Sequence, residues 1–171
     1  MNNLKNNFFN FYFFFKYLIK NKSIKLKKNA PNHHLDKKLT VSLTAKFERF
    51  NFLDLTLKSI INQSKHPDEI ILWIENKYKK KIPKKVLDLK KFGLKILFCK
   101  NLKSYNKIIH TLKIRRKNYI ITLDDDIIYN DKTIEFLVKT AKKNKKAIIA
   151  NRIHKIISSL LSFSAIYKLP P

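Results

Sequence analysis

An α/β fold, with a mostly parallel sheet flanked by helices on both faces, follows from three features of the sequence. Short apolar runs rich in β-branched residues recur between residues 39 and 150. Longer stretches with apolar residues at helical spacing lie between them. The two kinds of segment alternate strictly, and strands joined through helices pair in parallel.

Residues 39–44 (LTVSLT) are the first expected strand. A helix follows over 52–63, where Phe52, Leu53, Leu55, Leu57, Ile60 and Ile61 recur at helical spacing. Pro67-Asp68 introduces a second strand, EIILWIE (69–75). Pro83 opens a helix through KKVLDLKKF, and Gly93 stands where a C-terminal cap belongs. KILFC (95–99) is the third strand. Ser104 is placed to cap a helix through YNKIIHTLKIRR, after which YIITL (119–123) is the fourth strand. Asp131 is placed to cap TIEFLVKTAKK, and AIIA (147–150) is expected as a fifth strand. No internal repeat is visible.

The 171 residues suffice for one domain. Hydrophobic residues at 44% and aromatics at 12% exclude a wholly disordered basic tail. A single cysteine, Cys99, excludes an intramolecular disulfide and a four-cysteine zinc site, and a reducing compartment is the simplest expectation. Lys+Arg number 38 against 12 Asp+Glu, a net charge of +26. Such a balance commonly signals nucleic acid, but those interfaces favour Arg, and here 34 of the cationic residues are Lys and four are Arg. Lys, Ile, Asn and Phe are all abundant and all have A/T-rich codons, so base composition accounts for part of the charge. No specific nucleic-acid partner is expected.

Three regions are expected: a leader and linker (1–38), a domain (39–156) and an apolar tail (157–171). Residues 8–19 (FFNFYFFFKYLI) are too few to span a bilayer and lack a small-residue cleavage site after them. Aromatics followed by Lys20, Lys22, Lys25, Lys27 and Lys28 suit an anchor lying on an anionic membrane surface. The alternative is a flexible leader whose aromatics pack on the domain or a partner. The expected location is cytoplasmic, peripheral on the inner face of the plasma membrane. His33 and His34, in the polar linker, are expected to be solvated.

Three of the 12 acidic residues form one tripeptide, Asp124-Asp125-Asp126, at the carboxyl end of the fourth strand. Open α/β sheets bind ligands at that edge. If the strand continued extended, Asp124 and Asp126 would share one side, where they repel unless a cation or hydrogen-bond donors compensate. Hard divalent cations use one or two carboxylates together with substrate phosphates, so the cluster suits a metal bridging protein to diphosphate. Capping of the next turn or helix is the alternative.

From Leu39 to Ile156 the chain resembles bacterial family 2-type glycosyltransferases of the Rossmann-like GT-A nucleotide-diphospho-sugar fold. VSLTAKFERF, TLKSIINQSKHPDEIILWI, IPKKVLDLKKFGLKILFC, NLKSYNKIIHTL, YIITLDDDIIY and ANRIHKI carry the resemblance in order. It is similar to enzymes that build surface polysaccharide or lipooligosaccharide. It implies a nucleotide-diphospho-sugar donor, a glycan or lipid-linked acceptor, and Mn²⁺ or Mg²⁺ aiding departure of the nucleoside diphosphate. It assigns Thr44, Arg49 and Glu75 to the nucleotide, and Tyr105 and Lys107 to the sugar-nucleotide. In the DxD-like element, Asp124 and Asp125 serve the donor, Asp126 and Asp124 the metal, and His154 reaches metal or diphosphate. Relatives continue into an acceptor-binding half with a catalytic carboxylate, whereas no Asp or Glu follows Glu135 here. The expectation is therefore a sheet incomplete at its C-terminus, in a chain truncated after the nucleotide-binding half. A donor-binding remnant without turnover is the first competing expectation, and a basic nucleic-acid-binding protein, which the low Arg content and the single acidic cluster argue against, is the second.

Overall fold

The computed structural model describes residues 33–144 and 147–150. Four strands form one sheet: β1 (Leu39–Thr44), β2 (Glu69–Glu75), β3 (Leu94–Cys99) and β4 (Tyr119–Thr122). Their order is β3-β2-β1-β4, and every neighbouring pair is parallel. Val41 lies opposite Ile70 on one side and Ile121 on the other. The chain steps outward from β1 to β3 and then crosses back to lay β4 against β1. Strand order therefore reverses between β1 and β4, which is where an open α/β sheet offers a crevice at its carboxyl edge.

The helices are α1 (Leu53–Ile61), α2 (Lys84–Leu87), α3 (Asn106–Ile114) and α4 (Thr133–Lys143). Alternation along the strands assigns their faces. Leu39, Val41 and Leu43 of β1 join Ile70, Leu72 and Ile74 of β2 on one side. There they pack with Leu53, Leu57 and Ile60 of α1, Val86 of α2, and Ile134 and Val138 of α4. Each fully buried Leu, Ile or Val contributes about 1.5–3 kcal/mol.

The opposite face of β1 presents Thr40 and Ser42, both buried, and α3 covers it. Polar groups this deep need partners. The Ser42 hydroxyl donates to the Lys107 carbonyl (2.6 Å) and lies 2.7 Å from the Thr111 hydroxyl. Trp73 Nε1–H donates to that same Thr111 oxygen at 2.7 Å, and Asn118 Nδ2 donates to Thr40 at 2.9 Å.

Several local expectations hold. Pro83 directly precedes α2, and Gly93 ends the following 3-10 turn (Asp88–Phe92) with φ of 91°, the left-handed region. Others do not. Ser104 caps nothing: a 3-10 turn (Lys103–Tyr105) leads into α3, and Asn106 Oδ1 instead accepts the Leu102 N–H at 2.8 Å. Asp131 likewise fails to cap α4. Gln63 Oε1, from the loop after α1, accepts the Ile134 N–H at 2.9 Å, while the Asp131 carbonyl accepts from Ser64 N–H at 2.7 Å. A tertiary contact has replaced the local cap.

Residues 147–150 form no strand. An apolar run becomes a strand only where a neighbouring edge completes its ladder, and this one joins none among the described residues; Ile148 is 97% exposed. His33 is buried rather than solvated. Its Nε2 donates to Asp68 Oδ2 (2.7 Å) while Nδ1 accepts the Leu35 N–H (3.1 Å). Burial raises the Asp68 pKa, but the bonds from Leu39 N–H and His33 together hold it below the usual carboxylate value. No helix among the described residues is long and apolar enough to cross a membrane. The expected anchor, His154 and the 157–171 tail lie outside the described residues.

Candidate functional site

A cavity of about 540 Å³ opens at the carboxyl edge of the sheet, at the β1–β4 crevice. Four segments supply its wall. The end of β1 brings Thr44, Ala45, Lys46 and Arg49, and the end of β2 brings Glu75. The loop after β3 and the start of α3 bring Asn101, Lys103, Ser104, Asn106 and Lys107, and the turn after β4 brings Asp124, Asp125 and Asp126. Seven of the residues singled out in the sequence thus converge: Thr44, Arg49, Glu75, Lys107, Asp124, Asp125 and Asp126.

Tyr105 does not join them. The 3-10 turn aims Ser104 and Asn106 at the cavity and leaves Tyr105 between them, 64% exposed. Its assignment to the sugar-nucleotide finds no counterpart in this geometry. Lys46, Asn101, Lys103, Ser104 and Asn106 line the wall without having been picked out for the site. The signal for them is weak, a short polar loop between a strand and a helix.

The acidic tripeptide does not continue the strand. β4 ends at Thr122 and the chain turns at Asp125-Asp126, so the expected sharing of one side by Asp124 and Asp126 gives way to a different pairing. Arg49 bridges Asp125 and Asp126, with Nη1 2.6 Å from Asp125 Oδ1 and Nη2 2.9 Å from Asp126 Oδ2. Asp124 is paired separately with Lys107, whose Nζ lies 2.5 Å from Oδ1.

The three carboxylates differ in what they are free to do. Asp125 is buried and fully engaged: Oδ2 accepts the Lys46 N–H at 2.9 Å, Oδ1 holds Arg49, and its carbonyl accepts from Thr56 Oγ1 at 3.1 Å. It fastens the loop after β1 to the turn after β4. Asp126 has 24% of its side chain exposed and Asp124 has 58%. Tyr129 pins the same turn: its hydroxyl accepts the Asp124 N–H at 2.7 Å and donates to the Asp124 carbonyl at 3.3 Å. Burial, and then the three neighbouring carboxylates, push the Tyr129 phenol well above its ordinary pKa, while its bond to Asp124 pulls the other way.

Thr44 and Asn106 brace the opposite wall. Thr44 Oγ1 donates to the Trp73 carbonyl at 3.0 Å and receives Asn106 Nδ2 at 3.5 Å. Glu75 is held by Lys77 at 3.0 Å, a pair exposed enough to yield to a ligand.

Residues 41–166 match the family described as glycosyl transferase family 2. The chain belongs to this family. The match runs past Ile156, where the resemblance read from the motifs ends, into the apolar segment. No curated protein gives a match. As a family 2 glycosyltransferase with a parallel GT-A-like sheet, the chain works in general with a nucleotide-sugar donor and a glycan acceptor.

The cavity's chemistry can be tested for a divalent cation. Lys46, Arg49, Lys103 and Lys107 oppose Glu75, Asp124, Asp125 and Asp126 on its wall, so the wall is balanced in charge before a ligand enters. An anionic diphosphate would upset that balance, and a dication entering with it would restore it. Among the described residues no three His, Cys, Asp or Glu side chains cluster as a complete metal cage. A hard cation shared with substrate phosphates needs only one or two protein carboxylates. Asp126 and Asp124, with accessible carboxylate oxygens, fit such a role; Asp125 does not.

Proposed function

We propose that this cavity takes the nucleotide-diphospho-sugar and that the chain transfers the sugar to a surface glycan or lipid-linked acceptor. The observation that carries the proposal is the convergence of Glu75, Lys107 and the Asp124–Asp126 turn at the carboxyl edge, where strand order reverses. Glu75 at the end of β2 suits the N–H groups of a uracil-type base, and Thr44 and Arg49 shape the nucleotide side. Lys107 neutralises phosphate charge as it builds on the leaving group. Asp126 and Asp124 would hold Mn²⁺ or Mg²⁺, which when bound supplies Lewis-acid stabilisation of the departing nucleoside diphosphate. His154 would add a ligand from beyond the described residues. Transfer also requires a base within reach of the acceptor hydroxyl.

The location proposed is the inner face of the plasma membrane, in polysaccharide or lipooligosaccharide synthesis. Residues 76–92 support contact with an anionic surface, since they carry eight lysines against one acid, Asp88.

Calorimetric titration with UDP and GDP, with and without Mn²⁺, tests the donor site. Binding is expected with one of the two nucleotides, stronger with Mn²⁺, and weakened at least about tenfold in Asp126→Ala, the scale of a lost charged contact. No binding by the folded protein would overturn the assignment. Binding without sugar transfer or donor hydrolysis would favour a donor-binding protein without turnover.

A further inference from the structure

The two cations that meet the acidic turn are held in different ways. Arg49 belongs to the scaffold. It is shared between Asp125 and Asp126, and Asp125 is buried at 7% exposure with the Lys46 N–H as a further partner. Lys107 is clamped at its backbone, whereas its tip is held mainly by one ion pair to an exposed carboxylate. Its carbonyl accepts the Ser42 hydroxyl at 2.6 Å, which fixes the first turn of α3 against β1. Its ammonium donates to Asp124 Oδ1 at 2.5 Å and, among the described residues, to the Leu123 carbonyl at 3.5 Å. Asp124, its partner, is the most exposed of the three carboxylates.

We infer that Lys107 is a resident counter-ion on Asp124 that keeps a divalent cation out until diphosphate arrives. The Lys107–Asp124 pair occupies an oxygen that the cation would use. A diphosphate offers the ammonium a second anionic partner inside the same cavity, and four flexible methylenes let it change partner while the backbone stays clamped. Lys107 then sits on phosphate, Asp124 is released to the cation, and each ligand favours the other. Such coupling is reciprocal: nucleotide tightens the cation by the same factor that the cation tightens nucleotide. This inference rests on the donor-site proposal above and adds its order of assembly.

The test is Mn²⁺ binding, read from the electron paramagnetic resonance signal of free Mn²⁺, with and without UDP or GDP, whichever binds. The full chain is compared with Lys107→Gln, with circular dichroism confirming that both are folded. In the wild type, nucleotide should raise Mn²⁺ affinity about tenfold or more. In Lys107→Gln, Mn²⁺ alone should bind about two- to fivefold more tightly, the scale of a partly exposed ion pair removed from competition. Nucleotide affinity at saturating Mn²⁺ should fall about tenfold or more, and the coupling factor should shrink. Unchanged or weaker Mn²⁺ binding by folded Lys107→Gln overturns the inference, as does undiminished nucleotide affinity. Both leave the donor site standing. A wild type that binds neither nucleotide overturns the donor site itself, and the counter-ion role with it. Should Lys107→Gln fold poorly, Lys107→Met provides the same comparison.

Discussion

Replacing Thr111 by Val probes the polar joint that places α3, and with it Lys107, beside the acidic turn. Thr111 is fully buried, and its oxygen accepts the only indole N–H in the protein, from Trp73, at 2.7 Å. It also lies 2.7 Å from the Ser42 hydroxyl. Ser42 spends its single proton on the Lys107 carbonyl, so Thr111 is the donor in that second bond. Valine keeps the shape and removes both roles. Ser42 retains its own donation, whereas the buried Trp73 N–H is left with nothing to bond. An orphaned buried donor costs about 1–3 kcal/mol. Taking about 2 kcal/mol, the folding equilibrium falls by up to about 30-fold. With a slope of about 2 kcal/mol per molar, the urea midpoint drops by about 1 M.

The assay is urea denaturation followed by circular dichroism, in a cycle that includes Trp73→Phe and the double variant. Phenylalanine has no N–H to orphan, so the cost of Thr111→Val should shrink by at least about 1 kcal/mol in that background. A cost below about 0.5 kcal/mol in the parent, or one that is equal in both backgrounds, would refute the joint as described, because the indole bond would then carry no weight.

Four further outcomes are expected. Tyr129→Phe removes the acceptor of the Asp124 N–H and should cost about 0.5–1.5 kcal/mol in thermal or urea unfolding while weakening Mn²⁺-dependent nucleotide binding. The Arg115 guanidinium, assisted by Lys95 and opposed by burial, holds the Glu69 carboxyl below its ordinary value of 4.5. A depressed carboxyl stabilises the fold above the unfolded value and loses that contribution as pH falls through the folded one, so the stability gap between wild type and Glu69→Gln should be constant at neutral pH and narrow below 4.5 in a melting series. Burial pushes the Cys99 thiol up to about 11, so alkylation at about pH 8, followed by mass spectrometry, should track unfolding rather than native exposure. Gly93→Ala forces a side chain into φ of 91° and should destabilise by about 1–2 kcal/mol, although no atom lies within 4 Å of the added carbon.

What could be read along the chain, and what could not, divides by distance in sequence. EIILWIE declared itself as a buried strand because both faces of β2 are covered, and the Pro83 and Gly93 signals are backbone effects of single residues. The Asp tripeptide stood out by its place at the carboxyl end of a strand, where such folds gather ligands, and Thr44, Arg49 and Glu75 only through the family resemblance; all of them line the cavity. Their partners were not legible. Arg49 meets Asp125 across 76 residues, and Gln63 caps α4 across 71 residues, displacing the adjacent Asp131 that local rules favour. Asn106 looks like an ordinary turn residue until the start of α3 is laid against the end of β1, where its amide reaches Thr44 across 62 residues. The expected fifth strand failed for the same reason in reverse: AIIA has the right composition, but a ladder is a property of two segments, and residues 147–150 have no partner strand among the described residues.

The same distinction separates the three aspartates. The sequence sets Asp125 apart only by strand alternation, whereas in the fold burial separates it: Asp125 is 7% exposed, against 24% for Asp126 and 58% for Asp124. Asp125, with two donors on its carboxylate, closes the wall. Asp126 and Asp124 keep accessible oxygens and a counter-ion each. Asp125→Asn should therefore act first on stability, because an amide cannot accept from both Lys46 N–H and Arg49 through the same two positions. Asp126→Asn and Asp124→Asn should act first on Mn²⁺-dependent nucleotide binding, with melting temperature changed little. Equal loss of stability in all three variants would mean that the acidic turn is architectural throughout, and the proposed cation role of Asp124 and Asp126 would fall.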